Sequence, residues 1–593
     1  MKREAQALQF MFGLMLESDR RLLAGHVAVT LANVAAALLL AIGIRPLIDG
    51  AVARDHGSLV LGGVVSLIGL VVMLLTPVAQ RNIVARSIEN LIVVMQRKII
   101  RVASEAPGVE QFEVAGYWDK LQVMKRNLGS VLQGLMGLFV APVVTLQLII
   151  AGVVLFQVSP WLLPLPVVIA PALWLNRRAT AIDQASEERV SSARRVASGL
   201  FNAASSPDAG KEIRVFQLRD ELLKRYDAQA GDVLADRARA RAAGFGLRVL
   251  SSLLVAAVFI ASVIFVARLA ISGRISLGDV ALTLSMAGVL VAATNTYTGL
   301  SSVILRAVTL AQSHQSLIDE IEVRSESLRA AGPSPRHLNG AAGEPIRLEN
   351  VSFSYLPAAG NVLSDVSLTL PSSGVVAIVG ENGAGKTTLV KLLSRMYAPT
   401  TGRILIGDQN IREFDLSSYR SRLSACFQDF VRYEFSAREC VRIGAVGTDD
   451  GARTERALER ARCGFVHDLP DGLDTQLGTG WPGGVDLSGG QWQRLALARS
   501  MIRDRLRLAV YDEPTAGLDP RAEYEIFSDI AGPARGSAGL TILISHRFTT
   551  VRMADLIIVL EKGRIAEQGS HPELVSSGGL YAELYELQAR AYR

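Results

Sequence analysis

Val375-Val-Ala-Ile-Val379 runs directly into Gly380-Glu381-Asn382-Gly383-Ala384-Gly385-Lys386-Thr387-Thr388, and this stretch decides the fold of the second half of the chain. The first five residues are a β-branched, apolar run of buried-strand type, and a helical pattern succeeds the glycines. Gly380, Gly383 and Gly385 let consecutive backbone N–H groups turn inward on phosphate oxygens, and a helix opening at Thr387 adds the positive end of its dipole. Lys386 can reach β and γ phosphates, and Thr387 supplies a hydroxyl for Mg2+. The reading is a P-loop in an α/β domain. Its rival is a glycine-rich turn that matches by accident, and further motifs along the chain count against that rival.

A second buried-strand pattern, Leu508 to Tyr511, ends at Asp512-Glu513. That spacing places Asp512 at the Mg2+ shell and Glu513 where an attacking water would lie. Without a P-loop the two acids would be only the end of a strand beside Pro514. Leu487-Ser488-Gly489-Gly490-Gln491 precedes a helical stretch from Trp492 to Arg503 and forms another helix N-terminus able to bind anionic oxygens. Alone it would be a helix cap.

Taken together, these motifs resemble the signature set of ATP-binding cassette (ABC) proteins. The resemblance implies an α/β P-loop ATPase domain, ATP and Mg2+ as cofactors, and a nucleotide contact for every residue from Gly380 to Thr388 and from Ser488 to Gln491. It assigns further roles in order along the chain. Tyr355, 25 residues before Gly380, looks like the adenine-stacking aromatic. Gln428 looks like the Q-loop glutamine, a catalytic residue and a metal ligand beside Thr387 and Asp512. Asp519 fits the D-loop, and His546, after the strand Thr541 to Ile544, matches the switch histidine at the γ-phosphate. Each has a plainer reading as a core aromatic, a loop residue or a cap, but ordered motifs that agree with one another outweigh it.

Outside that domain the composition changes. At 593 residues the chain is long for one core, since domains average ~150 residues. Half of its residues are hydrophobic and only 20% are charged, with a mean hydropathy of +0.29, which excludes a disordered chain and points to a membrane part. The +6 net charge decides nothing by itself, and no nucleic-acid partner is expected. Cys426, Cys440 and Cys463 form no CxxC pair, so disulfide and zinc scaffolds lose support.

Runs long and apolar enough to cross a bilayer fall only before residue 306, because a span needs about 20 such residues. We count six: Leu22–Ile44, Ser58–Val78, two within Ser130–Asn176 that turn at Ser159-Pro160, Val249–Ala267 and Val280–Leu305. The fourth, from Trp161, is short. Residues 81–126 carry eight basic residues and 177–248 carry fourteen, so the positive-inside rule makes those loops and both termini cytoplasmic, in a multi-pass protein of the inner (plasma) membrane. The loops read as helical and extend the membrane helices. The expected organisation is a transmembrane domain over residues 1–323, a Gly/Ala/Ser/Pro linker over 324–345 and the ATPase domain over 346–593. Thr294-Asn-Thr-Tyr-Thr298, in the sixth span, either lines a transport cavity or bonds neighbouring helices.

Six spans ahead of one cassette extend the resemblance to half-size exporters of the multidrug and lipid type. It implies a second half-transporter as partner, in a homodimer or a heterodimer, with the lipid bilayer around it and alternating access as the mechanism. Where many exporters carry an acidic residue before the signature, this chain has Gly478-Thr-Gly-Trp-Pro-Gly-Gly484, so its cross-talk with the membrane domain is expected to be wired differently. Gly483-Gly484 before Leu487-Ser-Gly-Gly-Gln-Trp492, Phe427-Gln-Asp-Phe430 with Tyr433, and Gly116-Tyr-Trp-Asp-Lys-Leu121 look like exporters of lantibiotics and other modified peptides. The expected cargo is a small modified peptide or an amphipathic small molecule. A lipid flippase and a siderophore importer on an exporter-type fold are the alternatives. No peptidase domain fits before Leu22, so leader cleavage by this chain is not expected.

Overall fold

The computed structural model describes residues 19–113, 140–162, 169–206, 209–325, 336–338, 343–356, 360–447, 451–514, 520–536 and 539–591, with isolated positions 13, 17, 137 and 328. The chain divides into two compact units: residues 1–104 with 116–319, and residues 105–115 with 320–593.

The first unit is helical. Its described helices longer than ten residues are α1 (Arg20–Ala53), α2 (His56–Glu105), α3 (Val140–Val158), α4 (Ile169–Arg189), α5 (Ser191–Ser205), α6 (Arg219–Ile271) and α7 (Leu277–Ser325). Five of them, α1, α2, α3, α6 and the first part of α7, are long and apolar enough to cross a membrane. The expected start of the fourth span overlaps residues 163–168, outside the described residues, and α4 begins after them. At 1.5 Å per residue, α2 and α6 are about 75 and 80 Å long, far more than the ~30 Å hydrocarbon core. The basic stretches therefore continue the apolar helices.

Bulky apolar residues such as Leu61, Leu74 and Leu75 stay more than 60% exposed on α2, a face suited to lipid. Polar groups point inward in pairs. Asn33 Nδ2 donates to Thr76 Oγ1 at 2.6 Å, Asn176 Nδ2 to Ser251 Oγ at 2.9 Å, and Ser186 Oγ to Asp236 Oδ2 at 2.7 Å. Glycine lets α1 and α2 approach: a Cβ at Gly69 would come within 2.6 Å of Leu40 N. In the polar run of α7, Thr294 and Thr296 bond back to carbonyls of their own helix, while the Tyr297 hydroxyl meets Thr145 Oγ1 of α3 at 2.5 Å. Tyr297 thus bonds between helices. The side chains of Asn295 and Thr298 lie outside the described residues.

The second unit is built on two sheets. An antiparallel sheet has the order β2-β1-β4-β5, with β1 (Ile346–Phe353), β2 (Leu363–Leu370), β4 (Thr401–Ile406) and β5 (Gln409–Asn410). The larger sheet runs β10-β9-β3-β8-β7-β6, from β3 (Gly374–Val379), β6 (Leu423–Cys426), β7 (Leu508–Asp512), β8 (Leu540–Ile544), β9 (Leu556–Glu561) and β10 (Arg564–Gly569). Strands β3, β7 and β8 are buried along their whole length, as their unbroken apolar runs require of a covered parallel sheet. Parallel register pairs Ile378 with Ile544, Asp512 with Ile544, and Cys426 with Tyr511, so β3, β8, β7 and β6 end on the same side. Ligands of open α/β sheets bind beyond such carboxyl ends.

The stretch read as a linker is docked where it is described. Leu328 and Leu338 are buried, Arg336 N donates to Glu413 O at 3.0 Å, and Leu338 N donates to Ser418 Oγ at 2.9 Å. Glycine and proline gave it the composition of a linker, but its leucines supply apolar anchors. The segment 105–115 is also held within this unit, with Val109 N on Met396 O at 3.3 Å and Arg420 Nη2 on Pro107 O at 2.5 Å.

Candidate functional site

Four strand ends deliver the site. The turn after β3 opens helix α8 (Lys386–Leu393), one residue earlier than the sequence indicated. Gly380, Gly383 and Gly385 hold φ of +149°, +84° and +101°, which L side chains rarely adopt, and a Cβ at Gly385 would lie 2.7 Å from Leu363 Cδ2. Within this loop the Lys386 ammonium, 7% exposed, donates to Gly380 O at 2.7 Å and to Glu381 O at 2.8 Å. Burial holds its pKa below the usual lysine value, against the opposing pull of Glu513 and Asp512. Glu381, Asn382 and Gly383 are exposed along the loop, and Ala384 is buried beneath it.

Asp512, at the end of β7, is 2% exposed and accepts from Thr387 Oγ1 at 2.9 Å. Burial raises its pKa, with the Thr387 bond acting the other way. The hydroxyl and carboxylate expected at a metal therefore face each other. Glu513 comes next with φ +46°. Gln428 Nε2 donates to its Oε2 at 3.0 Å, and His546 Nε2 lies 2.6 Å from its Oε1. The structure thus joins Gln428, Glu513 and His546, which are far apart in sequence, at one carboxylate.

Tyr355 is partly exposed and packs edge-on against Phe353 and Tyr397, and its hydroxyl meets Thr388 Oγ1 at 3.0 Å. Thr388 is buried and ties this aromatic to the P-loop helix. Ser488 caps α9 (Gly489–Met501), which starts at the glycines rather than at Trp492. Ser488 Oγ accepts from Gln491 N at 3.3 Å, and Gln491 Oε1 accepts from Ser488 N at 2.8 Å, a capping box that leaves Ser488 and Gly489 exposed. Asp519 and the stretch Gly116–Leu121 lie outside the described residues.

Sequence reasoning missed the groups that hold this site from behind. Gln493 Nε2 donates to Glu513 O at 3.2 Å. Gln588 Nε2 donates to His546 O at 2.7 Å, and its Oε1 accepts from Phe548 N at 2.9 Å, fastening the histidine loop to the C-terminal helix. Buried Glu523 accepts from Thr550 Oγ1 at 2.6 Å and pairs with Arg547. Gln493 lies two residues beyond a recognisable motif, but no local pattern marks Gln588 or Glu523.

A P-loop, a strand-end acid pair and a capped helix at Ser488 lie in one α/β unit, in a chain that also carries membrane-length helices. Residues 363–516, which include the P-loop, Ser488 and the Asp512-Glu513 pair, match the family model described as ABC transporter. Over 294 residues the chain is 39% identical to the ATP-dependent lipid A-core flippase of Bordetella avium (strain 197N), covering 49% of this chain and 48% of that protein. Over 250 residues it is 39% identical to the mitochondrial iron-sulfur clusters transporter ATM1 of Chaetomium globosum, covering 42% of this chain and 40% of that protein. The chain thus matches about half the length of these curated relatives, or less. Its fold is that of a bacterial Atm1-family ABC exporter solved with ATP bound, at a TM-score of 0.83 and 23% identity, covering 96% of this chain and 98% of that one.

Proposed function

We propose that the chain is an ATP-driven exporter that works as a dimer and moves an amphipathic solute out of the cytosol. The observation that carries this reading is the Glu513 carboxylate held between Gln428 and His546 beside the P-loop. In this reading Lys386 and the loop from Gly380 to Thr388 bind the phosphates, and Tyr355 stacks on the adenine. Thr387 and Asp512 offer the hard oxygen donors that Mg2+ takes, with Gln428 beside them. Mg2+ held there would supply positive charge against the negative charge that builds on the phosphates during transfer. Glu513 accepts a proton from the attacking water, and His546 orients the Glu513 carboxylate and contacts the γ-phosphate. Such a general base is typically worth 10²- to 10⁴-fold in rate.

The exposed cap at Ser488 and Gly489 supports dimerisation, since it offers the signature to a second cassette. Both motifs are intact, so a homodimer has two competent sites, and a heterodimer with a degenerate partner is the alternative. The basic loops at 81–126 and 177–248 support an inner-membrane protein with both termini and the cassette in the cytoplasm.

For the cargo we favour a small modified peptide, on the cues at Phe427–Phe430 and Gly483-Gly484. A lipid is the second reading, favoured by the relatives named as lipid A-core flippases. Proteoliposomes with ATP outside separate the two. Peptide accumulation in inside-out transporters with unchanged lipid asymmetry supports the first, and lipid flipping without peptide uptake supports the second.

A further inference from the structure

The stretch before the signature contains no acidic residue between Gly478 and Gly484, yet a carboxylate lies on it. It comes from Glu434, six residues after Gln428, whose Oε2 accepts from Trp481 Nε1 at 3.1 Å. The turn is shaped around this side chain. Gly478 has φ +97°, and a Cβ there would sit 2.5 Å from Glu434 Cδ and 2.6 Å from its Cγ. A Cβ at Gly480 would lie 3.5 Å from Oε2.

The neighbouring backbone is laced to the same turn. Gln476 Nε2 donates to Glu434 O at 2.8 Å, Leu477 N to Phe435 O at 3.0 Å, and Gly478 N to Val485 O at 2.9 Å. On its other side the segment is fastened to α9. Arg499 lies 4.9 Å over the Tyr433 ring, and its Nη1 donates to Val431 O at 3.2 Å. The chain between Gln428, which bonds Glu513, and Ser488, which caps α9, is therefore tied at both ends.

We infer that Glu434 is a positioning residue for the signature: through Trp481 it holds the 478–484 turn, and so Ser488, in the pose that a second cassette must meet. It supplies from the Q-loop side a carboxylate to the 478–484 turn, which has none of its own, whereas Asp486, next to the signature, accepts from Trp492 Nε1 at 3.1 Å. This role rests on the proposed dimer.

The test uses the full-length protein in the Glu513→Gln background, where ATP-bound dimers accumulate, and reads the ATP concentration that gives half-maximal trapping. Glu434→Ala is expected to raise it about three- to tenfold, the loss of one charge-assisted hydrogen bond at an exposed site, while binding of a fluorescent ATP analogue to the undimerised protein stays unchanged. Glu434→Gln keeps an oxygen that accepts from Trp481 and should restore trapping. Trp481→Phe should copy Glu434→Ala, and the double variant should be no worse than either single one. Trapping unchanged in Glu434→Ala, a Gln variant as impaired as Ala, or additive losses in the double variant would overturn this role alone. Absence of trapping with Glu434 intact would overturn the dimer and this role with it.

Discussion

His546 Nε2 stands 2.6 Å from Glu513 Oε1, and the glutamate that it meets is held in a left-handed backbone conformation. Such strain costs of order 1–3 kcal/mol and persists only where surrounding bonds enforce it. Here Glu513 N donates to Ile544 O at 3.0 Å, and Gln493 holds the Glu513 carbonyl. The bonds at the ends of the buried strands β7 and β8 therefore fix where the carboxylate points. His546→Ala is expected to lower ATPase kcat by at least about tenfold while KM for ATP changes far less, because in the proposed reading its main role is to orient the base and its γ-phosphate contact is only one of many that bind the nucleotide. Steady-state kinetics on the purified variant check this. A parallel rise in KM would place His546 in nucleotide binding instead.

Asp512 gives a prediction about pH. Burial raises its pKa above the ordinary value of 3.8, so folding favours the neutral acid. The stability that it contributes is full below the ordinary value and is lost as pH rises through the raised one. Asp512→Asn removes that loss and keeps an oxygen for Thr387. At neutral pH the nucleotide-free cassette should melt a few degrees higher, at roughly 2–4 °C per kcal/mol for a domain of this size, and the added stabilisation by Mg2+ with ATP should disappear. Thermal melts of the full-length protein across pH, with and without Mg2+ and ATP, provide the measurement. Unchanged Mg2+-dependent stabilisation would remove Asp512 from the metal site.

The three cysteines are buried, and burial pushes the thiols of Cys426 and Cys463 up to about 12 and raises that of Cys440. Thiolate is the reactive form, so folded protein at pH 7.5 should be inert to a thiol reagent over a time in which denatured protein reacts fully. Counting modified thiols by mass before and after denaturation tests this. Rapid labelling of the folded protein would contradict the packing of the cassette core.

Legibility in the sequence tracks the range of the interactions. The P-loop, the acid pair and the signature cap are local devices, each a strand or helix end with residues at fixed offsets, and the structure finds them within a few residues. Gln428, Glu513 and His546 were legible one by one, but their meeting depends on parallel register among β6, β7 and β8, which no single stretch encodes. Gln588 behind His546 and Glu434 beneath Trp481 carry no local signal, because each acts across a long separation in the chain. Composition does not reveal that the 324–345 stretch is anchored, since Leu328 and Leu338 bury within a segment that its glycines and prolines make look free.

Tyr297 separates two roles for the polar run in α7. Its hydroxyl contacts Thr145 Oγ1, so Tyr297→Phe should lower the stability of the membrane unit by about 0.5–2 kcal/mol and leave substrate stimulation of ATPase in place. Unfolding in a bilayer mimic, together with an ATPase titration against the solute, reads both quantities. Lost stimulation with unchanged stability would make Tyr297 a cavity residue.

The base assignment at Glu513 is tested most directly by the ATPase rate of purified Glu513→Gln, measured alongside its ATP-bound dimers. The amide keeps the shape of the side chain and loses the proton acceptor, so turnover should fall to below about a hundredth of wild type while ATP still binds and trapped dimers accumulate. Hydrolysis at more than about a tenth of the wild-type rate would contradict Glu513 as the base on which the proposed transport cycle depends.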